Sequence, residues 1–126
     1  ELKAAVARFL PRGSENKVLA QIFQALRIEV KEEMKVLEAF LGQCADVLNP
    51  GGRLVVLSYH SLEDRLVKNF MKTGNADGNL EKDFFGNQLT PYKLMTSKPI
   101  IPSDDEIQMN SRARSAKLRV AERRVK

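Results

Sequence analysis

The chain reads as an α/β protein, of the kind in which helices pack on a doubly wound sheet. Three observations carry that reading. A long helical stripe is stopped at Asn49–Gly52 ("NPGG"), an unbroken apolar run follows at Leu54–Leu57 ("LVVL"), and a capped amphipathic segment opens four residues after it. Helix, strand, helix in that order is the repeating unit of such folds.

Each element has its own signature. "ELKAAVARFL" places Leu2, Ala5, Val6, Phe9 and Leu10 at helical spacing with no capping residue ahead of them, so the chain is expected to be a fragment entering in mid-helix. Pro11, Gly13 and Ser14 make "PRGSENK" a loop. Leu19, Ile22, Phe23, Leu26, Val30, Met34, Leu37, Leu41, Cys44 and Leu48 then step by three or four residues and predict one continuous helix. Thirty residues at helical rise would span about 45 Å. "LVVL" lacks alternation, as does a strand buried on both faces of a parallel sheet. Ser61-Leu62-Glu63-Asp64 fits a capping box with Ser61 as N-cap, and Leu62, Leu66, Val67 and Phe70 give the next helix its apolar side.

Downstream, "KTGNADGNLEKDFFGN" reads as a flexible insertion and "PYKLMTSKPIIP" as a strand-like stretch closed by prolines. A second capping box at Ser103–Glu106 predicts one or two helical turns over "DDEIQMN". In "SAKLRVAE", Ala116, Leu118 and Val120 alternate with Lys117 and Arg119, which predicts a strand whose basic face is wet.

Composition narrows the class. The 126 residues are 43% hydrophobic and 29% charged, which suits one domain with its own core. No apolar run approaches the roughly 20 residues of a membrane helix. No secretory signal opens the sequence, and the lone Cys44 rules out an internal disulfide and fits a reducing cytoplasm. The net charge of +5 is concentrated: residues 111–126 hold seven basic groups against Glu122, so the other 110 residues sum to −1. A basic segment on a near-neutral body points to a polyanion such as nucleic acid, or else to a solvated charged terminus.

The chemistry gathers at the carboxyl end of "LVVL", where open α/β sheets place their ligands. Ser58, Tyr59, His60, Ser61, Glu63, Asp64 and Arg65 crowd into that junction, and His60 is the only histidine. Capping alone accounts for Ser61 and Asp64; it leaves His60 unexplained. Neither a G-x-S-x-G elbow, a phosphate-binding loop nor a G-x-G-x-x-G turn is present, and one histidine with one cysteine gives no metal-ligand spacing.

Four blocks, "FQALRIEV", "LNPGGRLVVLSYHSLEDRLVKNF", "KPIIPSDDEI" and "RARSAKLRVAER", closely resemble the bacterial RsmH (MraW) family of S-adenosylmethionine-dependent methyltransferases. Members methylate the exocyclic N4 of a cytosine in small-subunit (16S) ribosomal RNA. The resemblance implies the C-terminal half of a Rossmann-like methyltransferase fold: residues 1–16 would end an inserted helical domain. Residues 17–126 would supply the long helix, a buried strand with its helix, a flexible loop and a terminal hairpin. The family's cofactor pocket lies mainly in the half that precedes these blocks, so no cofactor-binding residue is assigned here. The chain departs from the family pattern at Tyr59 (usually Phe), Lys31 (usually Asn), Ser111 (usually Pro) and in the lead-in "KVLAQIFQALRI".

By that resemblance His60 and Asp64 are the catalytic candidates. Ser58, Tyr59 and Ser61 would line the pocket for a flipped-out base, with Tyr59 as its stacking surface. Arg65, Arg112 and Arg114 are phosphate-contact candidates, and Arg27 is read as an ion-pair partner. The expected partner is 16S rRNA in the cytoplasm, with no membrane. A non-catalytic basic RNA-binding module is the alternative, separated by its steep salt dependence and indifference to the cofactor. An unpaired edge on the "LVVL" strand would make the isolated chain prone to self-association.

Overall fold

The computed structural model describes residues 1–125, with the side chains of Val30 and Lys31 left aside. The parts expected of Val30 in the helical stripe, of Lys31 and of Lys126 therefore lie outside the described residues. Two compact units are present, Glu1–Val36 and Leu37–Lys126.

In the first unit, α1 (Leu2–Val6) passes into a single 3-10 turn at Ala7–Phe9 and buries no residue. α2 (Glu15–Lys31) follows, with Leu19 buried. The expected continuous helix is broken here. Glu32 takes up a left-handed conformation (φ 51°), and α3 (Glu33–Val47) starts afresh after it. Phe23 and Leu26, members of the apolar stripe, are about half exposed. Arg27 Nε lies 4.0 Å from Glu33 Oε2, a solvent-exposed ion pair spanning the break.

The second unit builds a core from the remainder of α3. Leu41 and Cys44 pack with Leu54, Val67, Phe70, Met71, Tyr92 and Ala121. Asn49–Gly52 closes a tight turn in which Gly52 N–H donates to the Asn49 carbonyl at 2.8 Å. Pro50 supplies the fixed φ and Gly51 the positive one (φ 83°), the residue pair a type II turn demands. β1 (Arg53–Ser58) and α4 (Ser61–Thr73) come next. α4 ends on Gly74 at φ 80°, where a Cβ would stand 2.6 Å from Pro91 Cδ, so only glycine lets the returning chain pack against the helix end.

The sheet has the order β1-β3-β2, with β2 at Tyr92–Leu94 and β3 at Lys117–Arg123. Both pairings are antiparallel, so the parallel arrangement expected around "LVVL" is not what these residues form. Ile100 also bridges Leu118, and between them the Thr96 hydroxyl accepts from Val120 N–H at 3.2 Å where a strand carbonyl would have stood. The expected terminal hairpin is thus an antiparallel pairing of residues 92–100 with β3. Its connection carries α5 (Asp104–Met109) and a 3-10 turn at Ser111–Ser115. Ser103 caps α5 as its sequence predicts, accepting from Glu106 N–H at 3.2 Å.

β1 is not buried on both faces. Leu54 is buried against α4, while Val55 is 55% and Leu57 51% exposed on the opposite face. The expected wet face of β3 is reversed too: Arg119 is only 7% exposed and Ala121 is fully buried. The residue pairs Leu54–Ala121 and Val56–Arg119 put that basic face under α4. The insertion expected to be flexible is held by side chains. Asn75 Oδ1 accepts from Gly78 N–H at 2.9 Å, and Asp83 Oδ1 accepts from the N–H groups of Phe85 and Asn87 at 2.9 and 2.8 Å.

Candidate active site

The carboxyl end of β1 delivers its side chains to two sides of the sheet. Ser58 is buried on the α4 side, its Oγ donating to the Lys117 carbonyl at 3.5 Å, the outer limit of a hydrogen bond. Tyr59 is half exposed and goes the other way. With Leu57, Leu118, Ile100, Glu106 and Asn110 it lines a cleft of about 260 Å³.

The helix cap is set one residue earlier than Ser61. His60 is the N-cap, extended at φ −143° and ψ 161°, and its Nδ1 accepts from Glu63 N–H at 3.4 Å. Glu63 reaches back in turn, its Oε2 accepting from Tyr59 N–H at 3.4 Å. The imidazole takes the hydroxyl's place in a capping-box-like pair whose back-reach falls on the N–H before the cap, so Ser61 is left exposed in the first turn. An Nδ1 that accepts leaves the proton of a neutral ring on Nε2. That atom is buried and 3.1 Å from Glu63 Oε1, yet off the angle of a hydrogen bond, so the contact is electrostatic and Nε2 has no directed partner.

Asp64 does not cap through its side chain. Its carboxylate grips Arg119 in a fork, Oδ1 to Nε at 2.7 Å and Oδ2 to Nη2 at 3.0 Å, and Lys117 Nζ lies 3.8 Å from Oδ2. The Arg119 hydrogen bonds hold the Asp64 carboxyl below the usual carboxylate range, against the opposing effect of burial; Lys117 and Lys68 add to the lowering. The fork ties α4 to the central strand of the sheet.

Arg65 is exposed on the first turn of α4. Arg112 and Arg114 are exposed on either side of buried Ala113, which lines the Tyr59 cleft. The structure therefore brings Ser58 and Asp64 together on one side of the sheet. Tyr59 stands on the other, with Arg112 and Arg114 flanking a residue of its cleft, and His60 sits between as the cap. Sequence reasoning missed Arg119, Glu106 and Asn110, and it placed Glu63 in the junction without seeing its part in the cap. Glu63 stands three residues after His60, which is capping-box spacing once the frame is set on the histidine. Arg119 carried no signal in its own strand; only the need of a buried Asp64 for a partner pointed to it.

Among the described residues no group of three His, Cys, Asp or Glu side chains is placed to hold a metal. These residues do not fit S-adenosylmethionine either. α4 opens on His60 and Ser61 rather than on a glycine-rich turn, and Gly51–Gly52 are consumed in the turn before β1.

A small antiparallel sheet packed against α4 and the end of α3, with a polar strand-to-helix junction, makes this a mixed α/β piece. The chain belongs to the MraW methylase family, whose model matches residues 1–124. It is 60% identical over 124 residues to Ribosomal RNA small subunit methyltransferase H of Flavobacterium psychrophilum, covering 98% of this chain and 42% of that protein. The protein of the same name from Parabacteroides distasonis is 58% identical over 91% of the chain and 38% of its own length. That of Amoebophilus asiaticus is 55% identical over 97% and 39%. The chain thus spans about two fifths of the length of the curated relatives it matches.

Proposed function

We propose that the protein carrying this chain methylates the exocyclic N4 of a cytosine in small-subunit ribosomal RNA, and that this chain forms the substrate side of the site. The observation that carries the reading is the 60% identity, across 98% of the chain, to a protein named for that class of reaction. S-adenosylmethionine would supply the methyl group, bound by the part of the protein outside this chain.

The geometry supports the following roles. Tyr59 offers its ring to a flipped-out base, a stacking partner at the mouth of a cleft with aliphatic walls. Glu106 contributes a carboxylate to that lining, a hydrogen-bond acceptor for amino protons. His60 stands beside Tyr59 and receives a departing proton once its Nδ1 leaves the Glu63 amide. Asp64 is a positioning residue: by fixing Arg119 it holds the start of α4, and so His60, at the end of β1. Arg112 and Arg114 meet phosphates around the cleft and Arg65 does so from the first turn of α4; Ser58, buried on the α4 side, and Ser61 are not among the residues that line it, so neither carries the pocket role expected of it.

The test is methyl transfer to small-subunit RNA by the full-length protein and its His60→Ala variant. The expected loss in kcat is about 100-fold or more. An unchanged kcat would remove His60 from the chemistry.

The non-catalytic RNA-binding alternative is set apart by the same assay, because a pure phosphate binder transfers no methyl group at any salt concentration.

A further inference from the structure

β3 runs antiparallel to β1, so Arg123 and Arg124 leave the sheet at the end opposite Tyr59 and His60. Both guanidiniums are anchored by backbone carbonyls. Arg123 Nη1 donates to the Pro91 carbonyl at 3.2 Å, and Arg124 Nε to the Tyr92 carbonyl at 2.9 Å. Each fork has five N–H donors, and these bonds use one apiece. Neither has a carboxylate within 4 Å among the described residues. Together with Pro50, Gln88, Leu89 and Thr90 they line an open cleft of about 730 Å³.

The loop that forms one wall of this cleft ends in an exposed aromatic tip. Lys82 bridges Gln88, and Leu89 N–H donates to the Glu81 carbonyl at 2.8 Å, so residues 81–89 fold back on themselves. Phe84 and Phe85 sit at the turn, 98% and 84% exposed, their rings edge-to-face at 5.6 Å. Asp83 accepts from Phe85 and Asn87, which fixes the tip without burying either ring. By chain length Phe85 lies at most about 11 Å from Gln88 in the cleft wall. The residues around the rings are Lys82, Asp83, Gly86 and Asn87, too polar to extend an apolar docking patch. Anchored cations in a cleft whose wall leads, within three residues of Gln88, to isolated aromatic rings match the two needs of a single-stranded nucleic acid: a phosphate to neutralise and a base to stack.

We propose that this end of the sheet is a second RNA contact, with Arg123 and Arg124 holding a backbone phosphate and the Phe84–Phe85 tip stacking a neighbouring unpaired base. It rests on the functional reading above only in taking RNA as the partner, and it lies at the other end of the sheet from the Tyr59 cleft.

The test is fluorescence anisotropy of a short labelled single-stranded RNA against the full-length protein over a range of salt concentrations. Replacing both rings, Phe84→Ala with Phe85→Ala, should weaken binding about tenfold and leave the salt dependence unchanged. The rings are exposed, so folding is not at stake in that variant. Arg124→Gln should weaken binding and flatten the salt slope by about 0.7. RNA affinity equal to wild type in the double phenylalanine variant overturns the proposal, as does a wild type that binds no RNA. A wild type that binds RNA but transfers no methyl group defeats the functional reading instead, and leaves this comparison standing.

Discussion

On the α4 side the sheet presents Leu54, Tyr92, Ala121 and the Arg119–Asp64 fork, all sealed from water. On the other side Val55 and Leu57 stand half exposed beside Leu118 and Val120, next to the small Tyr59 cleft. The aliphatic content of the two faces is similar, and the one face that buries charge is the sealed one. Burial therefore depends on what the chain lays over a face, not on how apolar the face is. A cationic residue can go under a helix when a carboxylate meets it in a fork, because two directed, charge-assisted hydrogen bonds offset part of the hydration it loses.

This contrast can be broken from the sealed side first. Phe70→Ala should cost about 3–5 kcal/mol in chemical denaturation, since α4 cannot collapse into the space left among Leu41, Met71 and Val67. Asp64→Ala should cost about 3 kcal/mol by leaving Arg119 buried without its anion. The same pair gives a pH signature. Asp64 titrates lower in the folded state than in the unfolded one, so its contribution is complete above the ordinary carboxylate value of about 3.9 and is lost as pH falls through the depressed folded value. Stability measured against pH should therefore fall less steeply below about pH 4 in Asp64→Asn than in wild type. The smallest effect is expected on the open face. Leu57→Ser should change the stability of this chain by no more than about 0.5 kcal/mol, and a loss near that of Phe70→Ala would show the two faces to be alike after all.

Much of the fold was legible because it is local. The helix-strand-helix order, the α5 cap at Ser103 and the strand in "SAKLRVAE" each rest on a few adjacent residues, and each is present. The junction block was also legible as the place where polar groups gather. What escaped depends on partners distant in sequence. Arg119 alternates as a solvent-facing residue should, and its burial is decided by Asp64, 55 positions earlier. "LVVL" reads as buried on both sides because its composition answers to neighbours that composition cannot name. The break at Glu32 was hidden because the apolar stripe continues through it unchanged, and glutamate does not announce a left-handed residue as glycine does. The cap shifted from Ser61 to His60 because histidine is rarely counted among capping residues, although an unprotonated ring nitrogen accepts a backbone N–H as a hydroxyl does.

The central position of β3 bears on how the chain is made. Leu54 pairs with Ala121, which is translated 67 residues later, and Tyr92 pairs with Arg123. At about 5–20 residues per second, β1 waits roughly 3 to 13 s on the translating ribosome before the strand that completes it exists. During that interval α4 has no sheet to close on and Asp64 has no guanidinium. Until β3 emerges the apolar side of β1 and α4 has no strand to close it, so the order of synthesis is expected to add to the chain's exposure to chaperones and to misassociation.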